Sequence, residues 1–240
     1  MSEHPLVVKL SRRDGLTVHE REILEQSTSA IANYKADEDV VREGDIADHS
    51  CLILDGWALR AKSLADGRRQ ITAFHIPGDF VDLHSFLLKP MDHTVTALSP
   101  CKMALVPHSQ LRKISEAHPH LTRMLWLSTL IDAAIHREWL VAIGRLSAAA
   151  ALAHLLCELY LRLEAVGRAI DYRFDFPATQ VVLADALGLS TVHVNRIVQE
   201  LRRDGLVAWR GQTVTLKSWD GLVNLAEFDP TYLNLKVRPR

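Results

Sequence analysis

The chain has 240 residues, 48% of them hydrophobic, and its 28 basic and 29 acidic side chains leave a formal net charge of −1. This composition excludes a disordered chain and allows two cores; no apolar run reaches a membrane span and no basic-then-apolar leader opens the sequence, so a cytoplasmic protein without a membrane partner is expected. Cys51, Cys101 and Cys157 lie far apart with no CxxC pair, too few thiolates for an iron–sulfur cluster, and they read as buried free thiols.

Thr17-Val18-His19-Glu20 is a capping box ahead of Ile23 and Leu24 and predicts a first helix. From about Val40 to Val106 the chain breaks into short β-rich runs punctuated by glycine: VV before Gly44, CLIL before Gly56, WALRAKSL before Gly67, ITAFHI before Pro77-Gly78, then TVTAL and KMALV. That spacing predicts a sandwich, roll or barrel. Asp66-Gly67 predicts a hairpin turn, because glycine accepts the positive φ such turns need.

After Pro107 the apolar period lengthens to that of a helix. His118-Pro119 opens a helix predicted to reach Ile143, with one stripe at Met124, Leu127, Ile131, Ala134, Glu138 and Val141 and another at Leu121, Leu125, Ile135 and Trp139. One stripe suffices to pack the helix on its own domain, so a second suggests a partner, and a charge at Leu127 or Ile131 is expected to weaken a dimer. A helix buried within one large domain is the plainer alternative. Gly144 reads as the interruption. Ser147 then caps AAAALAHLLCELYLRLEAV, which stops at Gly167.

YRFDF reads as a strand ended by Pro177, and Thr179 as the N-cap of QVVLADAL. Gly188-Leu189-Ser190 makes a turn, and Ser190 caps TVHVNRIVQELRRD, which Gly205 ends. Two helices joined by a short glycine-containing turn form a helix-turn-helix, here centred on residues 179–204. Val194, Ile197, Val198 and Leu201 are expected to pack on Leu183 and Leu187, which leaves Thr191, Val192, Asn195, Arg196 and Gln199 on the other side. Arg can pair with guanine, Asn or Gln with adenine, and a Val methyl can touch thymine. A polar helix face is usually only solvated. The LVAW and TVTL runs around Arg210-Gly211-Gln212 add a wing, with Arg210 and Thr213 as candidates for backbone contact. From Ser190 to Lys217, Arg196, Arg202, Arg203, Arg210 and Lys217 face only Glu200 and Asp204, so the segment is locally positive.

These segments resemble the Crp/Fnr superfamily of bacterial transcription regulators. The C-terminal match lies in ALAHLLCELYLRL, FPATQVVLADALGLSTVHVNRIVQELRRDGLV and FDPTYL; the N-terminal one lies in the glycines Gly44, Gly56, Gly67 and Gly78, the last inside PGDF. The resemblance implies an α+β fold: a jelly-roll-like β-roll sensor of the cyclic-nucleotide-binding type over 1–116, a long dimerisation helix and hinge over 117–145, and a winged helix-turn-helix over 146–240. It further implies a homodimer on a palindromic site in double-stranded DNA, with RNA polymerase as a second partner. DNA contacts are expected from Thr179, Ser190, Thr191, Val192, His193, Asn195, Arg196, Gln199 and Arg210. Of these, Thr191, Val192, Asn195 and Arg196 would reach bases, with Ser190 and His193 nearer the phosphates. Arg196 matches the family's arginine, while Val192 stands where many relatives carry a glutamate that accepts from cytosine, which implies a different operator preference.

Relatives that bind cyclic AMP place a Gly-Glu pair on the ribose and an Arg-Ser or Arg-Thr pair on the phosphate. Here the corresponding effector-pocket residues are Gly78-Asp79, then a loop containing FLLKPMD, then His93-Thr94. A histidine lacks the planar fork and permanent charge of arginine, so the signal is expected to be something other than a conventionally bound cyclic nucleotide, or absent. No cofactor is predicted. Haem or another small ligand is the alternative, with a cyclic nucleotide the less favoured one; haem enters because haem-binding relatives exist and His49, His75, His84, His93, His118 and His120 lie in or near the roll and the long helix. No spacing among them matches a ligand motif such as HExxH, so no metal is expected. Ala150 and Ala151 stand where relatives often show a charged pair. No G-x-S-x-G, phosphate-cradling loop or Cys/His pair suggests an enzyme. The rival class is a signal-binding module acting through protein partners, which would retain no specific DNA.

Overall fold

A computed structural model describes residues 4–239. It opens with helices α1 (Pro5–Ser11) and α2 (Val18–Gln26), followed by strands β1 (Ala30–Tyr34), β2 (Asp39–Val41), β3 (His49–Asp55), β4 (Ala58–Ser63), β5 (Arg69–His75), β6 (Thr94–Ala97) and β7 (Cys101–Pro107). Then come α3 (His108–Ala117), α4 (Pro119–Arg145), α5 (Ala148–Ala165), β8 (Arg173–Asp175), α6 (Gln180–Leu187), α7 (Thr191–Arg203), β9 (Val207–Arg210), β10 (Thr213–Leu216) and α8 (Trp219–Ala226).

The capping box forms as the sequence predicts: Glu20 N donates to Thr17 Oγ1 at 3.2 Å and Thr17 N donates to Glu20 Oε2 at 2.8 Å. Among the elements outside the sequence reading are α1, β1 and α8. α1 carries β-branched residues that favour no helix, yet Leu6, Val7 and Leu10 are all buried, so packing decides its conformation. β1 pairs with β7 in the register Ala32↔Met103.

The chain forms two compact units. The first holds the described residues up to Lys62, then Ala73–Ala133, and those from Leu235 onward; the second holds Ser63–Thr72 and Ala134–Asn234. This division by contacts falls inside α4, and the hairpin tip Ser63–Thr72 counts with the second unit, where Arg69 Nε pairs with Asp185 at 2.8 Å.

In the first unit, antiparallel sheets ordered β1-β7-β3 and β2-β6-β4-β5 share a core of Cys51, Ile53, Val95, Ala97, Cys101 and Met103. Leu52 and Ala104, paired across β3 and β7, belong instead to a helical core with Leu6, Leu10, Leu24, Leu121 and Met124. Alternate residues of β3 thus bury opposite faces, which is why CLIL is apolar without interruption. Asp82 is fully buried and accepts from Cys51 N at 2.6 Å; burial pushes its carboxyl up to about 7.

α4 corrects one expectation. Leu121, Met124, Ile131, Ile135 and Trp139 are buried within the chain itself, while Trp126, Leu130, Leu140 and Val141 are exposed. Members of both predicted stripes are used up by the chain's own packing, each buried large side chain contributing about 1.5–3 kcal/mol. The face left over is a third one. Gly144 also stays helical, and the break falls at Leu146, with Ser147 Oγ accepting from Ala150 N at 3.2 Å.

In the second unit, α5 is buried over most of its length. Its Glu158 is 0% exposed and accepts from Trp139 Nε1 at 3.1 Å, Arg162 Nη1 at 2.9 Å and Tyr232 Oη at 2.9 Å. Burial raises its carboxyl pKa, against the pull of these donors. The sheet is ordered β8-β10-β9. All three cysteines are free and buried, Cys51 and Cys101 in the first unit and Cys157 in the second. No single helix among the described residues is long and apolar enough to cross a membrane.

Candidate functional site

α6 and α7 meet at 99°, within the range of a helix-turn-helix. Thr179 Oγ1 caps α6 by accepting from Val182 N at 3.2 Å, and Ser190 Oγ caps α7 by accepting from His193 N at 3.2 Å. Gly188 holds a φ of 66° between them, left-handed backbone that a side chain would strain. Both caps satisfy donors that a helix start otherwise leaves open.

Val194, Ile197 and Leu201 are buried on one side of α7. Thr191, Val192, Asn195, Arg196 and Gln199 are exposed on the other, Val192 at 80%. His193 is half-buried between the two faces. Asn195 Nδ2 donates to Gln180 Oε1 at 3.4 Å, linking the two helices across the outer face. Among the described residues nothing hydrogen-bonds or pairs with the Arg196 guanidinium, so its full fork faces solvent.

The wing forms with Trp209 opposite Val214 and Gly211 at a φ of 57°. Arg210 is exposed beside that turn. Thr213 is engaged otherwise, its Oγ1 donating to Asp175 Oδ1 at 2.7 Å on the neighbouring strand. Arg202 donates to the Trp209 carbonyl and so ties the end of α7 to β9, while Arg203 pairs with Asp204 at 3.1 Å. Arg196 at the front of α7, Arg202 near its end, Arg210 at the wing and Lys217 after β10 are exposed with no acidic partner among the described residues, and they carry the positive charge left for a ligand. The sequence reading missed both the Asn195–Gln180 and the Arg202–Trp209 bonds; each joins residues on separate elements, where periodicity is silent.

The four effector-pocket positions fall into two groups. Gly78 holds a φ of 89°, and a Cβ there would come within 2.8 Å of the Pro5 carbonyl oxygen, so α1 packs directly on this turn. Asp79 is buried; its carboxylate pairs with Lys9 of α1 and accepts from Ile76 N at 3.0 Å, with His75 Nδ1 3.9 Å away. Thr94 opens β6 instead, and His93 immediately precedes it. Thr94 Oγ1 accepts from Glu43 N at 3.1 Å. His93 Nδ1 hydrogen-bonds Asp92 Oδ1 at 2.8 Å, and its ring lies 5.0 Å from that of His84. Burial, helped by the Arg60 guanidinium, pushes His93 down to about 4, so the ring is neutral at pH 7 and supplies no charge for a phosphate. Arg60 itself forms a two-pronged pair with Asp132 of α4 at 3.1–3.2 Å.

Comparison with known proteins finds the cyclic nucleotide-binding domain over residues 31–118 and the Crp-like helix-turn-helix domain over residues 150–225. The transcriptional activator protein FnrL of Cereibacter sphaeroides is 30% identical over 184 residues, 75% of this chain and 73% of the relative. The nitrogen fixation regulation protein FixK of Bradyrhizobium diazoefficiens is 30% identical over 181 residues, 73% of each chain. Among solved structures, FixK2 from Bradyrhizobium japonicum superposes with a TM-score of 0.73 at 27% identity, covering 82% of this chain and 96% of that one.

Proposed function

The chain belongs to the Crp/Fnr family of DNA-binding transcription regulators, and from that premise we propose that it acts as a homodimer on a palindromic operator. α7 enters the major groove and the N-terminal β-roll acts as its sensor. The observation that carries this reading is the outward row Thr191, Val192, Asn195, Arg196 and Gln199 on a capped helix whose opposite side is buried. Arg196 reaches guanine O6 and N7 with two parallel donors, Asn195 and Gln199 address adenine, and the Val192 methyls meet thymine. Thr179, Ser190 and His193 stand at the two helix starts, where backbone N–H groups favour phosphate. Arg210 reaches the phosphates beside the wing. This chemistry belongs in the cytoplasm, with RNA polymerase as the protein partner.

The dimer seam is read from the face of α4 that its own chain leaves uncovered. Trp126, Leu130, Ala133, Arg137 and Leu140 are exposed at alternating spacings of four and three, the repeat of a two-helix seam. Footprinting on operators selected from random DNA should show a protected palindrome with half-sites about one helical turn apart. Leu130→Glu should sediment as a monomer where the parent chain is a dimer, and lose the footprint. A variant still dimeric at low concentration, or an asymmetric single half-site, would refute the reading.

For the sensor, Asp79 is occupied by Lys9 and His93 is neutral. We infer that a cyclic nucleotide is not held in the arrangement of its relatives, and that the roll answers another signal or none.

A further inference from the structure

His84 and the pair Asp92-His93 stand at the two ends of the loop FLLKPMD, and the fold brings them together. We propose that these three side chains form a binding site for one first-row divalent transition-metal ion. One ligand atom of each lies within 4.8 Å of the other two. Ligand atoms bound to one ion at about 2.0–2.2 Å stand about 3 Å apart, so side-chain rotation closes the group without remaking the backbone.

The second observation concerns His93. Its side chain is 7% exposed, and while Nδ1 is held by Asp92 Oδ1 at 2.8 Å, Nε2 is buried with no hydrogen-bond partner among the described residues. A polar atom left so costs about 1–3 kcal/mol, and an ion bound at Nε2, with Asp92 orienting the ring from behind, removes that cost. An ion that instead replaces the proton shared by Nδ1 and Asp92 Oδ1 gains the carboxylate as a ligand and leaves Nε2 as it stands. Two imidazoles and a carboxylate suit Zn²⁺, Co²⁺, Ni²⁺ or Fe²⁺, whereas Ca²⁺ and Mg²⁺ require an oxygen shell.

Two cations border the group: Arg60, paired with Asp132, and Lys62, whose Nζ pairs with Glu43 Oε1 at 2.6 Å and donates to the Asp92 carbonyl, so an ion binds only where its ligands outweigh their repulsion. Asp92 is 77% exposed and gives the ion a way in. Two or three protein ligands leave open coordination positions for water or for a small signalling ligand.

The test uses the full chain, stripped with a chelator and titrated with Co²⁺, whose visible absorption reports its ligands, then with Zn²⁺ to displace it. One ion per chain is expected. His84→Gln and Asp92→Asn should each weaken binding at least about tenfold, His93→Gln should abolish it, and His118→Gln should leave it unchanged. Should His93→Gln fail to fold, the half-exposed His84 and exposed Asp92 decide. Absence of a Co²⁺ spectrum in the parent chain, or an affinity in the His84→Gln and Asp92→Asn variants equal to the parent's, overturns the proposal. Operator binding by the metal-free chain is scored separately, so failure here leaves the DNA reading standing.

Discussion

On α7, Thr191, Asn195, Arg196 and Gln199 face outward, whereas in the β-roll Arg60, His75, Asp79, Asp82 and His93 are buried among the strands. Apart from Asn195, which donates to Gln180 Oε1, the outward row is held by nothing but the helix beneath it, and its backbone is fixed by Ser190 and by Val194, Ile197 and Leu201 on the far side. Three of the inward groups instead depend on a partner distant in sequence, Asp79 on Lys9, Asp82 on Cys51 N and Arg60 on Asp132. A row of the first kind can change its chemistry without disturbing the fold. A group of the second kind cannot, because removing one member strands the other in a dry interior.

The sharpest way to break this contrast is at the most deeply inward group. Glu158→Ala leaves Arg162, Trp139 and Tyr232 without their acceptor and should lower stability by about 3–5 kcal/mol in urea denaturation; a loss below about 1 kcal/mol would show that inward groups are as replaceable as outward ones. Next comes Asp82. Its folded pKa, about 7, lies above the ordinary 3.8, so the native chain holds a proton that the unfolded chain releases. Stability from this group is full below about pH 4 and is lost as pH rises towards 7, by at most a few kcal/mol. Asp82→Asn, which keeps an acceptor for Cys51 N, should flatten that slope; identical pH profiles for the two proteins would discard the assignment.

Arg196→Ala probes the outward side. It should cost roughly 1–3 kcal/mol at a selected operator and relax one base position, with the melting temperature unchanged. Unchanged affinity and specificity would remove Arg196 from the interface. The smallest effect belongs to Arg210→Ala at the wing, which should weaken all sequences alike and reduce the slope of log affinity against log salt by about 1. A base-selective effect there would move Arg210 into the groove.

The same contrast governs what the sequence discloses. The caps at Thr17, Ser147, Thr179 and Ser190 were legible because capping is settled within three or four residues, and the α7 face was legible because a helix repeats every 3.6. The uncovered face of α4 was not: the helix has apolar residues almost all round, and only the packing of Ile131 and Trp139 into the chain shows that Trp126 and Leu130 are left outside. Thr213 reads as a free hydroxyl until β8 lies beside β10 and presents Asp175. His84 and His93 look like two of twelve scattered histidines, because no local rule tells that the loop between them closes.

The buried thiols give these two regions separate clocks. Cys51, at 0% exposure, and Cys101, at 4%, report on the strands, and Cys157, at 0%, reports on α5. Burial raises all three thiol pKa values, that of Cys157 to about 12, so each reacts with an alkylating reagent only when its surroundings open. Peptide-resolved alkylation rates of the unaltered chain therefore measure the opening of the roll and of the helical unit independently, and a ligand of either one would slow only its own cysteines.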